Sequence, residues 1–187
     1  GYVGAAFRVI LAEVPTIDQL QLPPVIREMC HYPNGLVLVT GPTGSGKSTT
    51  LASMVNEINQ RYKYHIVTVE DPIEFLHRHQ GCLVNQREVG EDTHTFSAAL
   101  KHSLRQDPDI ILVGEMRDLE TIEIAITAAE YLYVVCSSVL CWLRLFATSA
   151  PRPAARIDRR PANVVVVQPI FTTGLGMRAP PWTVATA

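Results

Sequence analysis

Gly41, Pro42, Thr43, Gly44, Ser45, Gly46, Lys47, Ser48 and Thr49 together satisfy the spacing G-x-x-x-x-G-K-[ST]. A glycine turn of this kind lets successive backbone N–H groups face phosphate oxygens. Lys47 then reaches the β- and γ-phosphates, and the Ser48 hydroxyl ligates Mg²⁺. The bland alternative is a glycine-rich turn with an incidental lysine. At average residue usage the four fixed residues coincide in roughly one chain of this length in a hundred, and the flanks make coincidence rarer. Residues 36–40 are a short apolar, β-branched run of the kind that forms a buried parallel strand. Leu51, Met54, Val55 and Ile58 then recur at helical spacing, so a helix starts near Lys47 with its positive dipole end toward the turn.

Two carboxylates stand where ATP chemistry would need them. Glu115 follows the apolar run 110–113 in a Walker B pattern, with Gly114 where an Asp often stands. It can bind Mg²⁺, directly or through water, or orient the attacking water; otherwise it is a capping carboxylate. Glu74 follows a strand and an Asp71-Pro72 turn, which can project it into the same cleft as general base on water. The competing reading is an exposed loop acid.

These groups have to be positioned by strands and helices in alternation. A strand is predicted over 64–70, stopped by Asp71-Pro72. A helix is predicted from Thr93 or Thr95 to about Gln106, with Phe96, Leu100 and Leu104 to one side. A further strand over 110–114 precedes a helix capped by Asp118, whose apolar face is Ile122, Ala125, Ile126 and Ala129. Before the glycine turn, residues 6–11 suggest a strand. Residues 17–30 suggest a helix broken at Pro23-Pro24, with Val25, Ile26 and Met29 on one face. This alternation means an α/β fold with a mostly parallel sheet, whose ligands bind outside the carboxyl ends of the strands. Residues 41–49, 70–74 and 114–115 all fall at such ends.

The 187 residues carry a net charge of −2 and are 47% hydrophobic, enough for a core and no argument for nucleic-acid binding. The average conceals a split. Ten Lys or Arg stand against 17 Asp or Glu through residue 130, and six Arg against the single acid Asp158 after it. All six histidines precede residue 103, and both tryptophans follow residue 141. The four cysteines form no C-x-x-C pair, so neither a zinc module nor a redox motif is indicated. No signal-peptide pattern opens the chain, which suggests a reduced, cytoplasmic setting. The apolar run 131–143 is well short of the ~20 residues of a spanning helix.

The segments 41–49, TVEDPIEF at 68–75, CLVNQREV at 82–89 and LRQDPDIILVGEMRD at 104–118 resemble the type IV pilus retraction ATPases of the secretion and pilus motor superfamily. The likeness covers about residues 5–130. It implies a RecA-like P-loop core, ATP hydrolysis with Mg²⁺ and a homo-hexameric ring. It also implies work on a pilus platform protein at the cytoplasmic face of the inner membrane. By this resemblance residues 68–75 match the family's Asp box, with Glu74 as catalytic base, and Glu115 matches the Walker B glutamate. The nearest alternative is a type II secretion or pilus assembly ATPase of the same superfamily, which normally carries a tetracysteine module. A nucleotide-binding fragment without turnover is the alternative from another class.

Beyond Glu130 the likeness stops. The family continues Thr-Gly-His and a strand ending Thr-Leu-His-Thr, whereas this chain has no histidine after His102. The expected division is 1–34 as the end of an N-terminal domain and linker, 35–130 as the ATPase core, and 131–187 as a divergent tail. For that tail three readings stay open: an aberrant or out-of-frame translation, a genuine divergent C-terminus, or a basic flexible extension. Residues 134–140 and 163–171 have strand propensity, and no periodic helix is visible beyond residue 148.

Overall fold

The computed structural model describes residues 2–5, 10, 13–137, 164–169 and 182–186. All of the expected strand at 6–11 except Ile10, and most of the tail, lie outside these residues. Among the described residues seven strands form one sheet in the order β3-β2-β4-β5-β1-β6-β7. They are β1 (Gly35–Val39), β2 (His65–Glu70), β3 (Leu83–Glu88), β4 (Ile110–Val113), β5 (Tyr133–Ser137), β6 (Val164–Pro169) and β7 (Trp182–Thr186). All pair in parallel except β6 with β7. β1 and β4 are buried along their whole length, because a central parallel strand is covered on both faces.

Among the described residues four α-helices flank the sheet: α1 (Pro24–Met29), α2 (Lys47–Arg61), α3 (Phe96–Ser103) and α4 (Leu119–Ala129). Proline opens α1, where its missing N–H costs nothing. The predicted stripe of α2 is the core contact: Leu51, Met54, Val55 and Ile58 are at most 2% exposed, each contributing roughly 1.5–3 kcal/mol by burial. They pack with Ile26 and Met29 of α1 against Val37 and Val39. On the other face, Phe96 and Leu100 of α3 pack with Ala125 and Ala128 of α4 against Leu36, Leu38 and Val113. Thr95 caps α3 by accepting from the Ala98 N–H, and Asp118 caps α4 by accepting from the Thr121 N–H at 2.8 Å.

Several sequence expectations shift. Leu104 falls in a 3-10 turn (Leu104–Gln106) after α3 and is 36% exposed. On α4 the buried stripe runs through Thr121, Ala125 and Ala128, and Ile126 points outward at 53% exposure. β3 is a strand that periodicity does not announce. It sits at the sheet edge, so it carries polar residues and only Val84 is fully buried. The tail also joins the sheet: β5 lies between β1 and β4, and β6 adds beside β1.

Candidate active site

The parallel register brings the carboxyl ends of β1, β2 and β4 to one edge: Val39, Glu70 and Val113 end their strands there. The glycine loop 41–46 leaves β1 at this edge and returns as α2. Gly46, the N-cap, has φ 86°, a left-handed conformation that costs a side-chain-bearing residue ~1–2 kcal/mol. No side chain caps the helix, so its first N–H groups are free to face an anion. Ser45 Oγ is buried without a hydrogen-bond partner among the described residues. An orphaned buried hydroxyl beside uncapped N–H groups fits a phosphate group. Lys47 Nζ lies back across the loop and donates to the Pro42 carbonyl at 3.0 Å.

Facing the loop, Ser48 lines a cavity of about 50 Å³ with Glu70, Asp71, Glu74, His77, Gly114 and Glu115. At roughly 10–15 Å³ per water this admits a few water molecules. The predicted residues Ser48, Glu74 and Glu115 are thus brought to one cavity, whereas Lys47 lies outside its lining. Glu115 is ion-paired with Arg117, whose side chain is 65% exposed. No three His, Cys, Asp or Glu among the described residues could hold a metal by themselves. The oxygen set nevertheless fits Mg²⁺, which commonly takes one or two protein oxygens and completes its shell with water and phosphate. Gly114 is glycine for a packing reason: a Cβ there would stand 3.1 Å from the Glu70 Cα and 3.1 Å from the Val69 carbonyl. An aspartate at that place would push β2 away.

Glu70 is a carboxylate of the cavity that the fold buries. Burial raises its pKa above the usual carboxylate value, and the neighbouring Glu74 charge acts in the same direction. Bonds from the Thr68 hydroxyl at 2.8 Å and from Gln86 Nε2 at 3.2 Å oppose that rise. His77, in the same cavity, is driven by burial down to about 4 and is neutral at physiological pH.

Comparison with known proteins follows this geometry. The family described as Type II/IV secretion system protein matches residues 14–141. The chain belongs to that family. It is 54% identical over 154 residues to the type IV pilus retractation ATPase PilT of Pseudomonas aeruginosa, covering 82% of this chain and 43% of that protein. A twitching motility protein of Neisseria gonorrhoeae is 55% identical over 126 residues, 67% of this chain and 34% of that one. The chain therefore spans less than half the length of these relatives. A crystal structure of the pilus retraction motor PilT with bound ADP superposes with a TM-score of 0.75 at 41% identity, covering 96% of this chain and 54% of that one.

In this secretion-system family chain Glu70 was placed at the strand edge with 70–74 but given no role, and two further residues near the site were not legible by motif. Gln86 and Glu88 lie on β3, where their polar character reads as an ordinary edge. Their one sequence signal was the CLVNQREV likeness at 82–89, which names no role for either.

Proposed function

We propose that this chain is the nucleotide-binding and hydrolytic part of a type IV pilus retraction motor, powering twitching motility through ATP. One observation carries the reading: Ser48, in the first turn of the uncapped helix after the glycine loop, and the acids Glu70, Glu74 and Glu115 line one cavity. Residues 41–49 hold the phosphates, with Lys47 swinging from Pro42 to the β/γ-phosphates and Ser48 and Glu115 serving Mg²⁺. Glu74 takes the proton of the attacking water. Mg²⁺, when bound, would offset charge growing on the β- and γ-phosphate oxygens. The 54% identity to a retraction ATPase supports the pilus assignment. We assign residues 1–34, 35–130 and 131–187 to an N-terminal linker, an ATPase core and a divergent tail that lends strands to the core sheet. The working form is a hexamer on a platform protein at the cytoplasmic face of the inner membrane. No helix among the described residues is long and apolar enough to cross a membrane.

Binding of a fluorescent ATP analogue with Mg²⁺ tests the core of this reading. Lys47→Ala is expected to weaken it about 100-fold or more, the loss of a charge-assisted phosphate contact and its orientation. Affinity within twofold of the parent would remove the loop from the function. The pilus assignment is tested separately, by giving this core the C-terminal region of the Pseudomonas relative and expressing it in a strain lacking its retraction ATPase. Restored twitching is expected, and a stable protein that restores none would count against it.

A further inference from the structure

The segment that carries Glu74 is held mainly by side chains. Residues 71–77 leave β2 and form no named helix or strand, yet each flank of Glu74 is tied to β3. On one side the Ile73 N–H donates to Glu88 Oε2 at 2.9 Å. On the other, Gln86 Nε2 donates to the Phe75 carbonyl at 2.9 Å, and the His77 N–H donates to Gln86 Oε1 at 2.7 Å. The same Gln86 amide nitrogen donates to Glu70 Oε1 at 3.2 Å. Gln86 and Glu88 stand two residues apart on β3, on one face, in register with Thr68 and Glu70 of β2.

Beyond residue 77 the anchor changes. Asn59 of α2, fully buried, donates to the Arg78 carbonyl at 2.7 Å and accepts from the Gln80 and Cys82 N–H groups. The loop thus has more than one hold. Asn59 of α2 is the main anchor of 78–82, joined by a bond from the Val84 N–H of β3 to His79 Nδ1 at 3.0 Å. Gln86 and Glu88 of β3, with the Glu70 carboxylate bonded to the Glu74 backbone, hold 73–77. Loosening the Gln86 hold would loosen the arm bearing Glu74 and leave the phosphate loop in place.

We propose that Gln86 is the positioning residue for Glu74, fixing the reach of that carboxylate through the Phe75 and His77 backbone and the Glu70 carboxylate. This rests on the assignment of Glu74 as the base. A displacement of about 1 Å can cost ~10²-fold in rate, so the hold acts on the chemical step and spares nucleotide affinity.

The test compares the 187-residue chain with Gln86→Leu, Glu74→Gln and the double variant. Single-turnover hydrolysis, with chain in excess over γ-labelled ATP, reads even a slow chemical step. Affinity for a fluorescent ADP analogue serves as the control for folding. Gln86→Leu should keep ADP affinity within twofold, lower the single-turnover rate about 10–100-fold, and add less than threefold to the loss in Glu74→Gln. Independently of turnover, its His77 amide should exchange hydrogen at least about tenfold faster, because its acceptor is gone. Gln86→Glu is the second variant, for use should the leucine disturb folding. It keeps the His77 acceptor but sets a second carboxyl against Glu70, so its rate relative to the parent should recover as pH falls from 8 to 5.5. An unchanged His77 exchange rate, a parental hydrolysis rate in Gln86→Leu, or losses that multiply in the double variant each overturn the proposal. A parental rate in Glu74→Gln instead overturns the base assignment, and with it the link from Gln86 to Glu74.

Discussion

Glu70 and His77 line the same cavity, and burial pushes both toward their neutral forms. The consequences for stability run in opposite directions with pH. Glu70 has a raised folded value, so its contribution is fully present below the ordinary 4.5 and is lost as pH rises through the raised value. His77 is lowered from 6.5 to about 4, so its contribution is present above 6.5 and is lost as pH falls toward about 4. Glu70→Gln should therefore raise the thermal midpoint at pH 7.5, with the difference shrinking to nothing at pH 4. His77→Gln should flatten the loss of stability between pH 6.5 and 4. Thermal unfolding followed across pH 4–8 checks both. A Glu70→Gln midpoint below the parent's at pH 7.5 would show that its ionised form is stabilised by the fold.

At the scale of elements, α2 does two jobs with two faces. Its apolar stripe holds the sheet, and its polar residues hold the loop opposite the phosphate site. Glu57, only 8% exposed, is ion-paired with Arg61 at 2.6 Å and Arg27 at 3.2 Å, the pairing that a nearly buried carboxylate requires. Asn59 satisfies three backbone groups at once. Arg78 and Gln80 lie at the surface, where water can replace a lost bond, but the N–H of Cys82 belongs to a residue only 3% exposed. An unsatisfied buried group costs about 1–3 kcal/mol, so Asn59→Ala should destabilise the chain by about 1–3 kcal/mol. The urea midpoint measures it, and a change under about 0.5 kcal/mol would mean the loop finds other partners.

For the whole molecule, the balance of charge at the site is decisive. Four acids, Glu70, Asp71, Glu74 and Glu115, line the cavity, and no Lys or Arg among the described residues does so. On the proposed function phosphoryl transfer would concentrate negative charge in the same place, so cations would have to be supplied beyond Lys47. Cations supplied from outside the core can be worth ~10³–10⁵ in rate in P-loop enzymes, and a neighbouring subunit is the natural source in a ring. The isolated 187-residue chain should therefore bind ATP but turn it over slowly. Sedimentation and steady-state turnover, beside a version with the Pseudomonas relative's C-terminal region, measure this. A hexameric, fully active 187-residue chain would show that the divergent tail completes the site itself.

The glycine turn at 41–46, the strand before it and the helix after it were legible in the sequence because each rests on local rules. Glycines permit the left-handed turn at Gly46, β-branched residues make the buried strand, and a period of 3.6 marks the stripe from Leu51 to Ile58. Glu74 and Glu115 were legible as strand-end acids, since a parallel sheet gathers such ends at one edge. Tertiary structure alone decided which acid is buried, that Gly114 gives way to the β2 backbone, and that Ile126 faces outward. It also decided the position of β5 between β1 and β4, which depends on pairings with strands about 20 and 100 residues away. The hold of Gln86 and Glu88 on the Glu74 arm belongs to the same class. Polar side chains on an edge strand look alike in sequence, and only the register of β3 against β2 sets which of them meet the loop.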